Sequence, residues 1–315
     1  HGSTNAEMRF EVMARQTYAT PNAAFFVRSH GATPIIDVKA WRLVVEGGGV
    51  EKPFELTYDE LLKMPPRTIT RCIECAGNGR AFYELLLQKK AKGDPWLLGA
   101  YGIAEWTGVP LSDILRRAGV KQSAVEVMPV GLDDTALARP MPLSKAMEED
   151  TLLAYRMNGE DLPPDHGFPV RAVVSGWAGV ASVKWVGRLR VSEQPISVKW
   201  NTEEYVLIGP DYPALPPAKG PMVTAQGVKS AVALPWNAPL RPGRQTVVGY
   251  AWSPFGKIAR VDVSLDGGGS FKPAALVGPN IERAGVRWEL SFEAGPGTRT
   301  ILARATDDQG NTQPT

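Results

Sequence analysis

The pattern of apolar and polar positions changes along the chain and predicts two regions of different type. From Arg9 to about Tyr205, segments with the patterns of short strands and short helices are mixed. After a proline-rich stretch, every remaining segment has the pattern of a strand. We therefore predict an α+β protein, with a mixed α/β domain over residues 1–209 and an all-β domain over residues 210–315.

Helices and strands of the first region are predicted to be short. Thr57-Tyr58-Asp59-Glu60 has the form of a capping box, which predicts that a helix begins there. Residues 111–118 predict another helix, because Pro110 precedes them and Gly119 follows them. Strands are predicted where β-forming residues cluster, at residues 41–45, 170–174 and 183–191.

The second region begins with a segment of unusual composition. Residues 210–242 hold eight prolines and show almost no periodicity, which predicts a linker or an extended crossing segment. Residues 260–265 then alternate polar and apolar side chains, and Asp266-Gly267-Gly268-Gly269 predicts a turn. Further strands are predicted at residues 287–292 and 299–306. Strands at this spacing are typical of an immunoglobulin-like sandwich.

Composition narrows the class of protein. The chain has 315 residues, of which 43% are hydrophobic, so two domains with packed cores are expected. The net charge is only +2 and no basic cluster is present, which argues against a nucleic-acid-binding protein. No apolar run approaches the roughly 18 residues that a membrane span requires. The first residues, His1-Gly2-Ser3-Thr4, lack the pattern of a signal peptide and therefore indicate no compartment.

Two cysteines, Cys72 and Cys75, form the one Cys-x-x-Cys motif of the sequence. The motif is compatible with half of a zinc site, although no second cysteine pair exists, and with a thioredoxin-like redox pair. It is also compatible with two buried cysteines beside a glycine turn. Ala76 stands where a c-type haem site requires histidine. These residues by themselves leave the alternatives open.

The segment Cys75-Ala76-Gly77-Asn78-Gly79-Arg80 resembles the Cys-Ala-Gly-Asn-x-Arg signature of the sulfite oxidase family of molybdenum-cofactor oxidoreductases. Other segments resemble the same family in the same order: residues 25–30, 153–160, 165–171 and 183–185, and, in its dimerisation domain, residues 249–253, 263–268 and 307–314. The resemblance covers about residues 25–315. It implies a sulfite-oxidase-type molybdopterin domain followed by an immunoglobulin-like domain that forms a homodimer.

The resemblance also implies a cofactor and the residues that hold it. In the family, one molybdopterin (a pyranopterin dithiolene) and one cysteine thiolate bind molybdenum, and a soft thiolate suits this metal. Carried over to this sequence, Cys75 is the metal ligand, and Cys72 is predicted to be a buried small hydrophobic residue. We expect Ser182 and Val183 to precede Lys184 on one strand. The implied cofactor-binding residues are Phe26, Val27, Arg28, Ser29, His30, Cys75, Asp133, His166, Arg171, Ser182, Val183 and Lys184.

A small oxyanion, sulfite, is the substrate that the resemblance implies. Arg28 and Arg80 fall on arginines of the family's substrate site, where a planar guanidinium can contact two oxygens at once. Tyr205 corresponds to an active-site tyrosine, and Trp96 to a tryptophan that lines the oxyanion pocket. With Cys75, these residues form the implied catalytic set.

Some positions depart from the animal enzymes of the family. Gly79 stands in place of a second arginine, Ser29 in place of asparagine, and Ala181-Ser182 in place of Arg-His. The Gly-Asn-Gly-Arg form is more similar to bacterial sulfite dehydrogenases and to the sulfane dehydrogenase branch. Oxidation of sulfane sulfur or of another sulfur compound or oxyanion is therefore an alternative activity.

The route of the electrons and the compartment are expected from the same resemblance. The sequence contains no Cys-x-x-Cys-His motif and no cytochrome b5-like region, so we expect an external acceptor such as a c-type cytochrome. A periplasmic or otherwise extracytoplasmic location is expected. Two alternative function classes are a thiol-disulfide oxidoreductase that uses Cys72 and Cys75, and a non-catalytic protein that binds a partner through the immunoglobulin-like domain.

Overall fold

The computed structural model describes residues 4–15 and 17–314, so His1-Gly2-Ser3, Gln16 and Thr315 lie outside the described residues. The chain groups into two compact units. The first unit comprises His1–Ala6, Val27–Ile69 and Glu105–Thr224, and the second comprises Glu7–Phe26, Thr70–Ala104 and Ala225–Thr315. The chain therefore passes from one unit to the other several times. The predicted domain boundary between residues 209 and 210 stays a prediction.

Short helices and many strands make up the described structure, which confirms the α+β prediction. The α-helices are α1 (Tyr58–Leu62), α2 (Ala81–Leu87), α3 (Leu111–Ala118), α4 (Leu143–Ala146) and α5 (Lys199–Thr202). Short 3₁₀ helices cover Phe10–Ala14, Asn22–Ala24, Pro164–His166 and Gly179–Ala181. The strands are β1 (Arg42–Glu46), β2 (Phe54–Thr57), β3 (Arg67–Glu74), β4 (Tyr101–Pro110), β5 (Glu126–Gly131), β6 (Met141–Pro142), β7 (Thr151–Met157), β8 (Glu160–Asp161), β9 (Arg171–Val174), β10 (Val186–Ser192), β11 (Lys229–Val232), β12 (Gly243–Trp252), β13 (Ile258–Ser264), β14 (Lys272–Pro273), β15 (Ala275–Ile281), β16 (Gly285–Ala294) and β17 (Leu302–Asp307).

The first unit is built on a sheet with the strand order β2-β1-β10-β5-β6, in which β1 and β10 run parallel. A further sheet has the order β3-β4-β7-β8, with β9 paired to β7, and the chain changes unit within β3 and within β4. Helix α3 buries Leu111, Ile114, Leu115 and Ala118, a spacing that places them on one face of a helix. They join the strand residues in the core of this unit.

In the second unit, β11 to β17 form a sandwich of two sheets, ordered β11-β12-β16-β15 and β14-β13-β17. Val247, Val261, Val263 and Trp288 belong to its core. Residues 210–242 were predicted to be a linker or an extended crossing segment, and the structure adds that they contain one strand, β11, which pairs antiparallel with β12. Four residues among prolines are too few to show a period, and the hydrogen bonds come from a distant strand.

In the described part of the chain, no helix is both long enough and apolar enough to cross a membrane.

Candidate active site

A tight loop follows β3 and places Cys75 at its start. Cys75 is 7% exposed, and its backbone N–H donates to the carbonyl of Ala100 at 2.9 Å. Its carbonyl accepts hydrogen bonds from the N–H of Asn78 at 3.0 Å and from the side-chain amide of Gln226 at 3.4 Å. These three bonds fix the backbone of the cysteine within the second unit.

The buried carboxylate of Glu74 lies directly before Cys75 and anchors this loop. Its Oε1 accepts from the ammonium of Lys229 at 2.8 Å and from the amide of Asn78 at 3.0 Å. Its Oε2 accepts from the indole N–H of Trp252 at 2.9 Å. A buried carboxylate is stable only when it is paired and hydrogen-bonded, and this network meets both conditions. Glu74 thereby ties the start of the loop to strands β11 and β12.

Arg80 lies five residues after Cys75, and two glycines shape the space around its guanidinium. Its Nη1 donates to the carbonyl of Asp94 at 2.9 Å. A Cβ placed on Gly77 would lie 2.4 Å from Nη2, and one on Gly93 would lie 2.7 Å from Nη1. Gly93 also has φ +109°, a conformation that disfavours other residues. A side chain at either glycine would therefore displace Arg80.

Trp96 belongs to the same unit and has an unsatisfied donor. The residue is 5% exposed, and its carbonyl accepts from the N–H of Ala81 at the start of α2. Its indole N–H is buried and has no hydrogen-bond partner among the described residues. Leaving such a group without an acceptor costs about 1–3 kcal/mol. The donor therefore fits a site that binds an anion or another acceptor.

Cys72 has a different environment from Cys75. It lies within β3, it packs against the core of the second unit that includes Tyr101, and it is not bonded to Cys75. Burial, with a further contribution from the charge of Glu74, raises the pKa of its thiol to about 12. The thiol is protonated at neutral pH, as expected of a small hydrophobic residue and not of a redox nucleophile.

Within the described ranges, no group of three or more His, Cys, Asp or Glu side chains is placed to hold a metal ion.

The first unit contains a buried guanidinium, that of Arg171, held by backbone oxygens. It is 5% exposed and donates to the carbonyls of His166 at 3.0 Å, Ser182 at 3.1 Å and Ala172 at 3.4 Å. It also lies 5.0 Å from the ring centroid of Trp106. Burial lowers the pKa of Arg171 to about 9, so it remains charged at neutral pH.

Lys184 supplies a second cation in the same unit. Its ammonium donates to the hydroxyl of Ser29 at 2.6 Å and to the carbonyl of Asp165 at 2.7 Å, and it lies 4.3 Å from the ring of Trp185. Burial, followed by repulsion from Arg171, lowers the pKa of Lys184 to about 7. No carboxylate of the described chain forms an ion pair with either cation. At neutral pH Arg171 is charged and Lys184 is about half-protonated, so the two side chains form a positive site that the carboxylates of Asp165 and Asp133 favour without forming a salt bridge to it.

His30, which follows Ser29, forms a hydrogen-bonded pair with Tyr205 in the first unit. The Nε2 of His30 and the hydroxyl of Tyr205 lie 2.7 Å apart, and the donor depends on the histidine tautomer. The ring of His30 packs edge-on against Trp200 at 4.6 Å, and Arg28 donates to the carbonyl of Ser29. Tyr205 has φ +52°, which is rare for a bulky side chain.

The expectation that Ser182, Val183 and Lys184 lie on one strand is wrong. Ser182 ends the 3₁₀ helix Gly179–Ala181, and β10 begins only at Val186. Trp185, between them, has φ +54°, and this left-handed conformation interrupts an extended strand.

The polar groups of other predicted cofactor residues form hydrogen bonds with neighbouring protein groups. Asp133 is buried, and its carboxylate accepts from the hydroxyl of Thr135 at 2.5 Å and from the N–H of Leu137 at 3.2 Å. The carbonyl of Val183 accepts from Ala172, and the hydroxyl of Ser182 accepts from Val174.

In residues 25–30, the first segment that resembles the family, Phe26 stacks on Phe25 with 5.4 Å between ring centroids. Val27 pairs with Ala6 through both of its backbone groups.

Each unit therefore brings together part of the predicted set. In the first unit, Arg171 is hydrogen-bonded to His166 and Ser182, Lys184 is hydrogen-bonded to Ser29, and His30 is paired with Tyr205. The loops of the second unit carry Cys75, Arg80 and Trp96. Glu74 was missed by the sequence analysis, although a charged residue at the end of a strand and next to the cysteine is a usable signal.

Known proteins match this chain over nearly its whole length. The family profile "Oxidoreductase molybdopterin binding domain" matches residues 30–200, and "Mo-co oxidoreductase dimerisation domain" matches residues 221–315. Sulfite oxidase of Gallus gallus is 38% identical over 98% of this chain and 71% of that protein. Mitochondrial sulfite oxidase of Homo sapiens is 38% identical over 98% of this chain and 60% of that protein.

More distant similarity includes other activities. An NADH nitrate reductase of Ulva prolifera is 32% identical over 98% of this chain and 39% of that protein. The crystal structure of the sulfane dehydrogenase SoxCD from Paracoccus pantotrophus superimposes with a TM-score of 0.88 at 32% identity, covering 99% of this chain and 78% of that one. This chain thus spans less than two thirds of the human and algal proteins.

The molybdopterin-binding profile covers more than half of the chain, and the predictions of an oxidoreductase and of molybdenum with molybdopterin as its cofactor are confirmed. The chain belongs to the sulfite oxidase family of molybdopterin-binding oxidoreductases.

Proposed function

We propose that this chain oxidises sulfite to sulfate and passes the electrons to an external acceptor such as a c-type cytochrome. In the balanced reaction, sulfite and water give sulfate, two protons and two electrons. The similarity to animal sulfite oxidases over 98% of the chain supports this choice of substrate. When bound, the cofactor accepts the two electrons and supplies oxygen-atom transfer chemistry.

The residues present fit the cofactor. Molybdopterin carries an anionic phosphate, and Arg171 and Lys184 are cations that have no ion pair in the described part of the chain. A buried cation is unfavourable unless an anion compensates it, so this pair favours binding of an anionic group. The thiol of Cys75 is buried and, as a thiolate, would be a soft ligand for molybdenum. We assign the metal to Cys75 and the anionic end of the cofactor to the two cations.

One observation carries the substrate assignment: the second unit holds donors that have no acceptor. One of the five N–H groups of Arg80 donates to Asp94, and the others have no protein acceptor in the structure as described. The indole N–H of Trp96 is likewise unsatisfied. Fixed donors of this kind bind an oxyanion and hold its oxygens while charge redistributes. In the first unit, we also propose Arg28 as a cation and Tyr205 as a neutral donor for the substrate.

Steady-state kinetics with sulfite, using ferricyanide and cytochrome c as acceptors, test the proposal. Because a charge-assisted hydrogen bond contributes roughly 1.5–3 kcal/mol, Arg80→Gln should lower kcat/KM by about one to two powers of ten. Arg80→Lys should recover only part of this loss, since an ammonium cannot make a bidentate contact. The matched control is Arg67→Gln, which removes an arginine paired with Glu149 on the surface. Equal kcat/KM for the Arg80→Gln variant and wild type would contradict the assignment of Arg80.

Oxidation of sulfane sulfur is the second candidate activity. The similarity to SoxCD, with a TM-score of 0.88, favours it. A persulfide presents a terminal sulfur without oxygen atoms, so Arg80 should matter much less for it than for sulfite. Comparing sulfite with a small persulfide as substrates of the same preparation separates the two activities, and a larger kcat/KM with the persulfide would favour the second.

We also propose a homodimer, because residues 221–315 match a dimerisation domain. Together with the family resemblance, this supports a boundary near residue 210 between a catalytic domain and a dimerisation domain. We place the protein outside the cytoplasm, and fractionation of the source cells would test this location.

A further inference from the structure

Arg139 is a fully buried cation that the proposed site does not include. Its side chain is 0% exposed. The guanidinium donates to the carbonyl of Trp200, to that of Val223 at 2.6 Å and to that of Tyr205 at 3.3 Å. Its Cζ also lies 5.9 Å from the centroid of the Tyr205 ring. These partners all belong to the first unit.

An arginine in this position is costly. Burial lowers the pKa of Arg139 to about 10, and its Nε has no hydrogen-bond partner among the described residues. No carboxylate within the described ranges forms an ion pair with it. An apolar side chain would fill the same space without burying a charge. The guanidinium is therefore better explained by the geometry of the carbonyls that it holds.

One of the three carbonyls is that of Tyr205, and the other two belong to Trp200 and Val223. Trp200 precedes Tyr205 by five residues, and the N–H of Val223 donates to the carbonyl of Tyr205 at 2.9 Å. Tyr205 itself has φ +52°, a conformation that a bulky residue keeps only when its surroundings hold it. Arg139 donates hydrogen bonds to Trp200, to Tyr205 and to Val223. Val223 follows Met222, which pairs with Val206 in an antiparallel bridge.

The side chain of Tyr205 extends from this held backbone to His30. The hydroxyl lies 2.7 Å from the Nε2 of His30, whose ring packs against Trp200. Trp200 is thus held by Arg139 at its carbonyl and contacts His30 with its ring. A change at Arg139 would therefore shift both supports of the pair formed by His30 and the Tyr205 hydroxyl.

We propose that Arg139 is a positioning residue, which places the Tyr205 hydroxyl by holding the carbonyls of residues 200, 205 and 223. The proposal rests on the proposed function insofar as Tyr205 acts on the substrate. The charge of Arg139 has no direct part in the reaction, and its effect passes through Tyr205.

A double-mutant cycle with sulfite tests this coupling. Arg139→Lys should lower kcat/KM about tenfold with little change in KM, since one ammonium cannot reach three carbonyls. In the Tyr205→Phe background, the same substitution should change kcat/KM less than twofold. Arg304→Lys is the matched control, because Arg304 also has a buried, unpaired Nε and lies over the ring of Phe271, at 4.4 Å. Equal losses from Arg139→Lys in both backgrounds would overturn the proposal.

A second readout does not depend on turnover. The chain has three histidines, so the ring ¹⁵N signals of His30 can be assigned in the oxidised holoenzyme by a His30→Gln variant. Arg139→Lys should shift the His30 signals, as Tyr205→Phe does, while Arg304→Lys leaves them unchanged. Unchanged His30 signals in Arg139→Lys would refute the positioning role, whatever the substrate.

A set of substitutions at Arg139 separates a loss of folding from a loss of positioning. Arg139→Gln retains an amide that can donate to two carbonyls, so it should fold and lose less activity than Arg139→Met. If the Lys, Gln and Met variants all fail to fold, Arg139 serves stability alone and the proposal is wrong. If wild type does not oxidise sulfite, the proposed function fails, and the His30 signals still decide the role of Arg139.

Discussion

Replacing Lys184 with methionine should change stability in opposite directions in the cofactor-free and cofactor-loaded protein. Burial, with repulsion from Arg171, lowers the pKa of Lys184 from its ordinary value of 10.5 to about 7. Below pH 7, the folded protein therefore holds an ammonium that would be better solvated in the unfolded chain. This cost declines as pH rises from about 7 to about 10.5, because the unfolded chain then loses the extra proton that it binds at lower pH.

The size of the expected stability change follows from the pKa shift of Lys184 and from the hydrogen bonds of its ammonium. A shift of this size corresponds to about 4 kcal/mol at pH 7. The Ser29 hydroxyl and the Asp165 carbonyl accept from the ammonium, and these bonds, with residual solvent, offset about half of it. We expect Lys184→Met to raise the free energy of unfolding of the cofactor-free protein by about 1–2 kcal/mol at pH 7, and by much less near pH 10.

In the cofactor-loaded protein, Lys184→Met should lower the free energy of unfolding instead of raising it. If Lys184 faces the anionic end of molybdopterin, the substitution removes a charge-assisted bond and costs about 1.5–3 kcal/mol. Urea unfolding of both forms at pH 7 and pH 9.5 measures the effect. Lys145→Met is the control, because Lys145 is also buried but is paired with Glu148 at 2.6 Å, so it should destabilise both forms. Destabilisation of the cofactor-free protein by Lys184→Met would refute the reasoning.

Further predictions concern the second unit and the assembly. Cys75→Ser should abolish molybdenum binding and turnover, whereas Cys72→Ser should keep most of both; the reverse result in metal analysis would reject the ligand assignment. Glu74→Gln should lower the free energy of unfolding by about 3–5 kcal/mol, and adding Lys229→Met should recover part of the loss; urea unfolding that shows no recovery would contradict the pairing. Trp96→Phe should stabilise the cofactor-free protein by about 1 kcal/mol, since it removes an unsatisfied donor, and should lower kcat/KM for sulfite; a loss of stability in the same measurement would speak against it. Light scattering should give twice the 34.1 kDa of a single chain, and a monomer at micromolar concentration would exclude the dimer.

Local patterns were sufficient for several elements. Helix α3 has the predicted bounds, because Pro110 starts it and Gly119, at φ +66°, ends it. The capping box of Thr57 and Glu60 forms as predicted and starts α1. Strands β13, β16 and β17 lie close to their predicted positions. In these cases the determining interactions lie within a few residues of the chain, so the sequence by itself contains them.

Motif resemblance went further and indicated the family and its cofactor from the order of residues alone. It also named Cys75, Arg80 and Lys184, because ordered motifs record which residues recur together. It did not indicate the environment of these residues. Which of them are buried, and which have no acceptor or counter-ion, depends on chain segments far apart in sequence.

The tertiary structure alone decided the remaining features. β11 exists because β12 offers hydrogen bonds to it, and the extended strand expected before Lys184 fails because Trp185 takes a left-handed conformation. Arg139 shows the same limit, since its carbonyl partners lie 61 to 84 residues away. Burial, pKa and hydrogen-bond partners are properties of segments brought together by folding, and no local pattern of residues encodes them.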